Sequence, residues 1–356
     1  VIAVVLVGGE GTRLRPLTLD EPKPVLPIGG VPFIALLLDR LAAAGVSKVI
    51  LSCGYLPERL RAGVGSPPPG MVVEVVVEDE PLGTAGAIRF AAAGRVDGPF
   101  LALNGDVLGD ADFGALVLAH TTAGAMGTIG LTPVDDPTRF GVVVHDAAGN
   151  VQRFVEKPPT ADGLGPAPWW VNAGVYVLEP EVLDLIPSDR MVSIEREIFP
   201  QLVGHGLIAH QAAGYWRDIG TVESFLAANA DVIAGRVATR LGGSEGAVLV
   251  ADDALVAATA RLIAPVLIGP GATVEAGAVV GPETVVGAGS RIAENAIVCR
   301  SVLFDDVVVG ADASVVRSVI GRAGVVGVHA SVSDSALGTA EHAAAGVTLL
   351  GERRPG

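Results

Sequence analysis

Short β-branched runs alternate with longer Ala/Leu-rich segments through the first two thirds of the chain: IAVVLV at 2–7, FIALLLDRLAAAG at 33–45, VSKVILSCG at 46–54, PERLRAGV at 57–64, VVEVVVE at 72–78, TAGAIRFAAAG at 84–94 and PFLALNGD at 99–106. Strand-like runs alternating with helical ones predict βα units around a mostly parallel sheet. In such sheets ligands bind beyond the carboxyl ends of the strands, where loops and helix N-termini present backbone N–H groups.

Beyond a less regular stretch near 236–261 the pattern changes to a period of six. Apolar residues recur at Ile268, Val274, Val280, Val286, Ile292 and Val298; one step of five leads to Leu303, Val309 and Val315, another to Ile320, Val326 and Val332, and a third to Leu337. Hexapeptide periodicity predicts a parallel β-helix in which each repeat forms one face of a triangular coil and stacking buries a continuous apolar column. About four coils are implied, with the five-residue steps as shortened corners.

Composition narrows the partners. A net charge of −15 over 356 residues disfavours a nucleic-acid partner, while leaving room for a small anionic ligand in a locally basic pocket. The apolar runs fall short of the ~18–20 residues of a membrane-spanning helix, no signal pattern opens the sequence, and two isolated cysteines, Cys53 and Cys299, fit a reducing compartment; a cytoplasmic location without membrane attachment is expected.

Three stretches carry candidate chemistry. In GGEGTR, Gly8, Gly9 and Gly11 follow the first strand and permit positive φ and close backbone approach, so that successive N–H groups could converge on phosphate oxygens. Arg13 adds a planar donor fork, with Arg15 in support. The loop is neither the spaced dinucleotide fingerprint nor a Walker loop. Lys23 sits between Pro22 and Pro24, which should hold it on a stiff extended segment. Asp106 follows an apolar strand, where it would either cap the next helix or coordinate Mg²⁺, a hard cation that takes one or two carboxylates beside phosphate oxygens.

GGEGTRLRPLT, EPKPVLPIGG, EDEPLGTAGAI, NGDVL, FVEKP, NAGVYVLEP and YWRDIGT, in that order, resemble the sugar-1-phosphate nucleotidyltransferases over nearly the whole chain. EPLGTAG, SIEREIFP and YWRDIGT look most like the mannose-1-phosphate guanylyltransferase branch. The resemblance implies a Rossmann-like catalytic domain with a mixed, mostly parallel sheet at 1–235, a linker at 236–262 and a left-handed β-helix at 263–356. It also implies that Leu6, Gly8 and Gly9 hold base and ribose, that Gly11, Thr12 and Arg13 bind triphosphate, and that Lys23 neutralises charge at the α-phosphate. Val7 departs from the alanine common in the family, making the pocket edge bulkier without removing a functional group.

By the same resemblance, Glu78 and the loop Pro81, Gly83, Thr84 and Ala85 line the nucleobase side, and Asp218 joins Asp106 as a Mg²⁺ ligand. Glu156, Lys157, Asn172, Gly174 and Gly141 contact the sugar phosphate. The implied reaction joins a nucleoside triphosphate, GTP, to a sugar 1-phosphate, mannose 1-phosphate. Glucose or cyclitol 1-phosphates, and ATP, UTP or dTTP, remain alternatives. A catalytically silent regulatory subunit would be expected to lose Arg13, Lys23, Asp106 or Asp218, and all four are present. An acyltransferase role for the β-helix is disfavoured, because His329 is the only histidine within the clear repeats. Assembly into a homo-oligomer through the β-helix is expected.

Overall fold

In the computed structural model the described residues are 1–212, 214–244 and 246–355. Their contacts separate two units, Val1–Gly9 with Leu37–Trp216, and Glu10–Leu36 with Arg217–Gly356.

Among the described residues the first unit is built on a nine-stranded mixed sheet. The strand Ile2–Leu6 lies between Lys48–Cys53 and Phe100–Asn104, parallel to both, and Val72–Val77 continues the parallel half. Beyond Phe100–Asn104 the direction reverses: Trp169–Leu178 runs antiparallel to it and also pairs antiparallel with Gly127–Val134 and Gly141–His145. Leu207–Gln211 then pairs parallel with Gly127–Val134, so the sheet is mixed, as expected, with its antiparallel pairs confined to this half. Val4, Ile50, Phe100 and Tyr176 are buried in the core beneath the helix Gly83–Ala92, whose alanines allow close packing on the sheet. Because these four strands run parallel, the loops after Leu6, Cys53, Val77 and Asn104 gather at one sheet edge, the expected ligand crevice.

In the second unit, the segment Glu10–Leu36 packs with the helix Val222–Ile233. Asn229, buried in that helix, accepts the Gly29 N–H at 2.8 Å. Packing thus groups the chain differently from the contiguous segment 1–235, because this early excursion is tied through Gly29 to a residue two hundred positions later.

The remainder is a three-faced parallel β-helix, consistent with the left-handed form, of seven, six and six strands. It begins at Val248–Val250, inside the stretch 236–262 expected as a linker, and makes six full turns rather than about four. The physical reason is that Val256 and Leu262 pack against the inward column, pairing in register with Val274 and Val280, while Val250 pairs with Ile268 at the exposed end. At the other end Ala343 and Leu349 extend it beyond Leu337. Each fully buried Val, Ile or Leu contributes roughly 1.5–3 kcal/mol.

The five-residue steps have a specific chemistry. Arg300, Arg317 and Asp334 turn the corner at φ 51°, 46° and 51°, and each is followed by a buried serine. Ser301, Ser318 and Ser335 donate to the carbonyls of Cys299, Val316 and Ser333 at 2.8, 2.8 and 2.7 Å. Each hydroxyl also accepts the N–H of the next coil, from Ser318, Ser335 and Glu352 at 3.1, 3.1 and 3.0 Å. The serine hydroxyl thus completes the ladder where a corner is one residue short.

Candidate active site

At the end of the first strand, Leu6 is in register with Ser52 on one side and Asn104 on the other. Gly8 follows, so close to Gly54 that a β-carbon would lie 3.2 Å from the Gly54 nitrogen and 3.3 Å from Glu78 Oε1. Glu78 is held by Ser52, whose hydroxyl donates to Oε1 at 2.9 Å, and more weakly by the Leu82 N–H at 3.4 Å. Gly8 and Glu78 therefore form one surface, with Gly9 exposed beyond it.

The loop carrying Pro81 and Gly83 is pinned rather than free. Gly83 has φ +73°, and a β-carbon there would stand 2.6 Å from the Val192 carbonyl. The Thr84 hydroxyl donates to Glu195 at 2.7 Å and accepts the Ile194 N–H at 2.9 Å. Its side chain is committed to the protein.

Asp106 lies just past the strand Phe100–Asn104. The next helix, Phe113–Ala123, is capped by Asp112, whose carboxylate accepts the Ala115 N–H at 2.9 Å. Helix capping is therefore not what Asp106 does.

Gly141, Glu156, Lys157, Asn172 and Gly174 come together on adjacent strands. Gly141 is paired with Glu156 in register. Lys157 adopts φ +46°, an uncommon region for a non-glycine residue, and its Nζ lies 3.2 Å from Glu156 Oε1. Asn172 donates to the Tyr176 hydroxyl at 2.8 Å and accepts the Gly174 N–H at 2.8 Å. That closed loop coincides with a register shift between Asn172 and Tyr176, and Gly174 at φ +74° abuts the Asn104 amide. Burial pushes the Tyr176 phenol well above its ordinary pKa, reinforced by the Glu195 carboxylate and, to a lesser extent, by Glu156 and Asp106, and opposed by the Asn172 hydrogen bond.

The second unit holds Gly11, Thr12, Arg13, Lys23 and Asp218. Of the three loop glycines only Gly11 uses the left-handed region, at φ +62°; Gly8 serves close approach, and nothing crowds Gly9. The Gly11 carbonyl accepts the buried Thr18 hydroxyl at 2.9 Å, laying the loop across Lys23. Arg15 bonds Glu10 at 2.7 Å, whereas the Arg13 side chain is exposed at the loop surface. Lys23 opens a tight 3₁₀ turn, Lys23–Val25, rather than lying extended, because only Pro22 keeps the extended geometry; the lysine is 8% exposed.

Gly220 escaped the motif reading. A β-carbon on it would lie 2.6 Å from Asp218 Oδ1 and 2.7 Å from Arg13 Nη2, so this glycine gives both groups their place. The signal was present as a glycine two residues after the aspartate. Asp106 in the first unit and Asp218 in the second are each half-buried carboxylates, hard-oxygen donors of the type a divalent cation takes beside phosphate and water.

A family model described as "Nucleotidyl transferase" matches residues 2–235, and one described as "GMPPB C-terminal domain" matches 262–353. A mannose-1-phosphate guanylyltransferase of Mycobacterium tuberculosis (strain ATCC 25618 / H37Rv) is 43% identical over 283 residues, 77% of each chain. A mannose-1-phosphate guanyltransferase of Candida albicans is 43% identical over 230 residues, 63% of this chain and 62% of the relative, and that of Kluyveromyces lactis aligns to the same extent. The chain thus spans less than two thirds of those two yeast relatives. Among the described residues no helix is long and apolar enough to cross a membrane.

Proposed function

Because the chain belongs to the nucleotidyl transferase family, we propose that it is a mannose-1-phosphate guanylyltransferase, transferring the guanylyl group of GTP to mannose 1-phosphate with release of pyrophosphate. The observation that carries the reading is the second-unit cluster in which Arg13 and Asp218 flank Gly220 while the Gly11 loop crosses Lys23. A side chain at Gly220 would displace the ends of both charged groups.

An acceptor phosphate oxygen attacks the α-phosphorus in line with the departing pyrophosphate, so the new P–O bond forms as the bond to the β-phosphate bridge breaks. The acceptor is already largely ionised at pH 7, its second pKa being near ~6, so no general base is needed. Histidine is accordingly spent elsewhere; buried His120, for example, contacts Thr128 and Glu179 at 2.9 and 3.2 Å.

Backbone N–H groups of Gly11 and Thr12 with the Arg13 fork hold the triphosphate, and Lys23 neutralises charge gathering at the α-phosphate and leaving group. Leu6, Gly8, Gly9, Glu78 and the Pro81–Gly83 backbone receive the nucleoside. Lys157 takes the acceptor phosphate; Glu156 and Asn172, with backbone groups at Gly141 and Gly174, take hexose hydroxyls. Mg²⁺ held by Asp106 and Asp218 would supply further neutralisation of phosphate charge. The chemistry is assigned to 1–235, and the β-helix to assembly of a cytoplasmic homo-oligomer.

Pyrophosphate release measured for a matrix of nucleoside triphosphates against hexose and cyclitol 1-phosphates with Mg²⁺ tests the reading. Preferred turnover of GTP with mannose 1-phosphate is expected; no turnover with any pair overturns it.

A further inference from the structure

The loop Pro81–Ala85 is bound along its length to the segment 192–195. The Val192 N–H donates to the Leu82 carbonyl at 2.9 Å, and the Val192 carbonyl accepts from Ala85 N–H at 2.9 Å and Gly86 N–H at 3.4 Å. Thr84 closes the strap by accepting the Ile194 N–H and donating to Glu195 Oε2. The Ser193 hydroxyl donates to that same oxygen at 2.7 Å. It also accepts, at 3.3 Å, the Arg196 N–H.

Both hydroxyls therefore have a lone pair engaged by a backbone N–H and direct their single proton at one carboxylate oxygen. Hydroxyl-to-carboxylate bonds of this length belong to the strong, charge-assisted class. The segment continues as a π-helical turn, Ile194–Ile198, a geometry found mostly as local insertions and often beside functional sites. Its next residue, Phe199, is buried against Tyr176 and Phe154, with ring centroids 5.1 and 5.4 Å apart, so the strap is anchored in the core.

We infer that Glu195 is a positioning residue for nucleobase recognition: acting through Thr84, it fixes the backbone of the Pro81–Gly83 loop against which the base edge is read. The inference rests on the proposed guanylyl transfer. Guanine and adenine present exchanged donors and acceptors, so a loop that reads them with backbone N–H and C=O groups discriminates only if its peptide planes are held fixed. No side chain of the loop does this by itself, since the Thr84 hydroxyl is committed to the strap and Pro81 and Gly83 have none to offer. Leu82 N–H, at 3.4 Å from Glu78 Oε2, joins the loop to the second carboxylate of the base side.

The experiment compares Glu195→Gln, Thr84→Val and Thr84→Ser with the unaltered protein. Separate KM values are measured for GTP and for mannose 1-phosphate, together with the ratio of kcat/KM for GTP over ATP and the melting temperature. Thr84→Val is expected to raise KM for GTP about tenfold and to lower the GTP/ATP ratio about tenfold, while KM for mannose 1-phosphate stays within about twofold. Glu195→Gln, which keeps an acceptor but loses the charge, should give a smaller change of the same kind, and Thr84→Ser should restore the ratio. A lowered melting temperature with an unchanged GTP/ATP ratio in both Thr84→Val and Glu195→Gln overturns the inference, leaving a structural strap. Equal rises in both KM values overturn it as well. Unaltered protein that turns over sugar 1-phosphates without preferring GTP overturns the guanylyl reading instead, and a ratio that still shifts in the variants would keep the positioning role for whichever base is preferred.

Discussion

Gly141 stands directly across the strand pair from Glu156, so near that a β-carbon on it would lie 2.7 Å from the Glu156 Oε2. The same β-carbon would meet the Phe154 ring at 2.6 Å, and that ring is backed by Phe199. The carboxylate, at the end of a flexible side chain, would give way, while the ring backed by Phe199 resists and adds a cost in stability. Gly141→Ala is therefore expected to displace Glu156 and raise KM for the acceptor about tenfold, the value of one hydrogen bond, with KM for the nucleotide little changed. Steady-state kinetics with each substrate varied in turn decide it; an unchanged acceptor KM would remove Glu156 from the hexose site.

A second close approach concerns charge. At Gly220 an added methyl would push against both Asp218 Oδ1 and Arg13 Nη2. Preorganised electrostatic groups lose most of their effect when displaced by about an ångström, so Gly220→Ala should lower kcat about 100-fold and raise the concentration of divalent cation needed for half-maximal rate. Near-unchanged far-UV circular dichroism would separate this from unfolding. Wild-type kcat with an ordinary cation requirement would show that Arg13 and Asp218 do not act as assigned.

These two glycines mark what the sequence made legible and what it did not. The period of six exposed the β-helix from Ile268 onward because an inward column must be apolar at every coil. Its first coil was obscured: Val250, Val256 and Leu262 keep the period, but Asp252, Asp253 and Arg261 break the apolar texture where the end coil is more exposed. The loops bearing Arg13, Lys23 and Asp106 stood out because glycine, proline and charge beyond a strand are conspicuous. Gly220 did not, since its constraint comes from Arg13, two hundred residues earlier. The Thr84–Glu195 bond was equally hidden, as no local pattern distinguishes a threonine facing a ligand from one facing a distant carboxylate.

In the β-helix, Ser318 spans two coils by donating to the Val316 carbonyl and accepting the Ser335 N–H. Ser318→Ala would leave that N–H without its acceptor in a buried corner, at a cost of about 1–3 kcal/mol. Urea unfolding should show a lower midpoint with an unchanged slope, and kcat should be little changed because the hydroxyl bonds β-helix residues, Val316, Val332 and Ser335. A midpoint equal to wild type would mean that the short corners are held by backbone bonds alone.

The acid side of the stability profile provides a further test at the sheet edge. Glu74, on the strand Val72–Val77, bonds Lys48 of the neighbouring strand at 3.1 Å and Arg95 at 3.0 Å. The hydrogen bond from Lys48 is the main cause of its lowered pKa, with Arg95 adding to it against a desolvation that acts the other way. A depressed folded-state pKa means that the unfolded chain takes up the proton first as acid is added. The stabilisation is thus fully present above the ordinary carboxylate value near ~4.3 and is lost as pH falls through the lower, folded-state value. Because the carboxylate is 36% exposed, screening by water and salt keeps the effect modest. Glu74→Gln should therefore melt lower than wild type at pH 7, and the difference should shrink as pH is brought below about 4. Added salt should reduce the difference at pH 7, as expected for a partly exposed ion network. A gap in melting temperature that stays constant from pH 7 to pH 3 would assign the effect of the substitution to packing or hydrogen bonding rather than to the charge on Glu74.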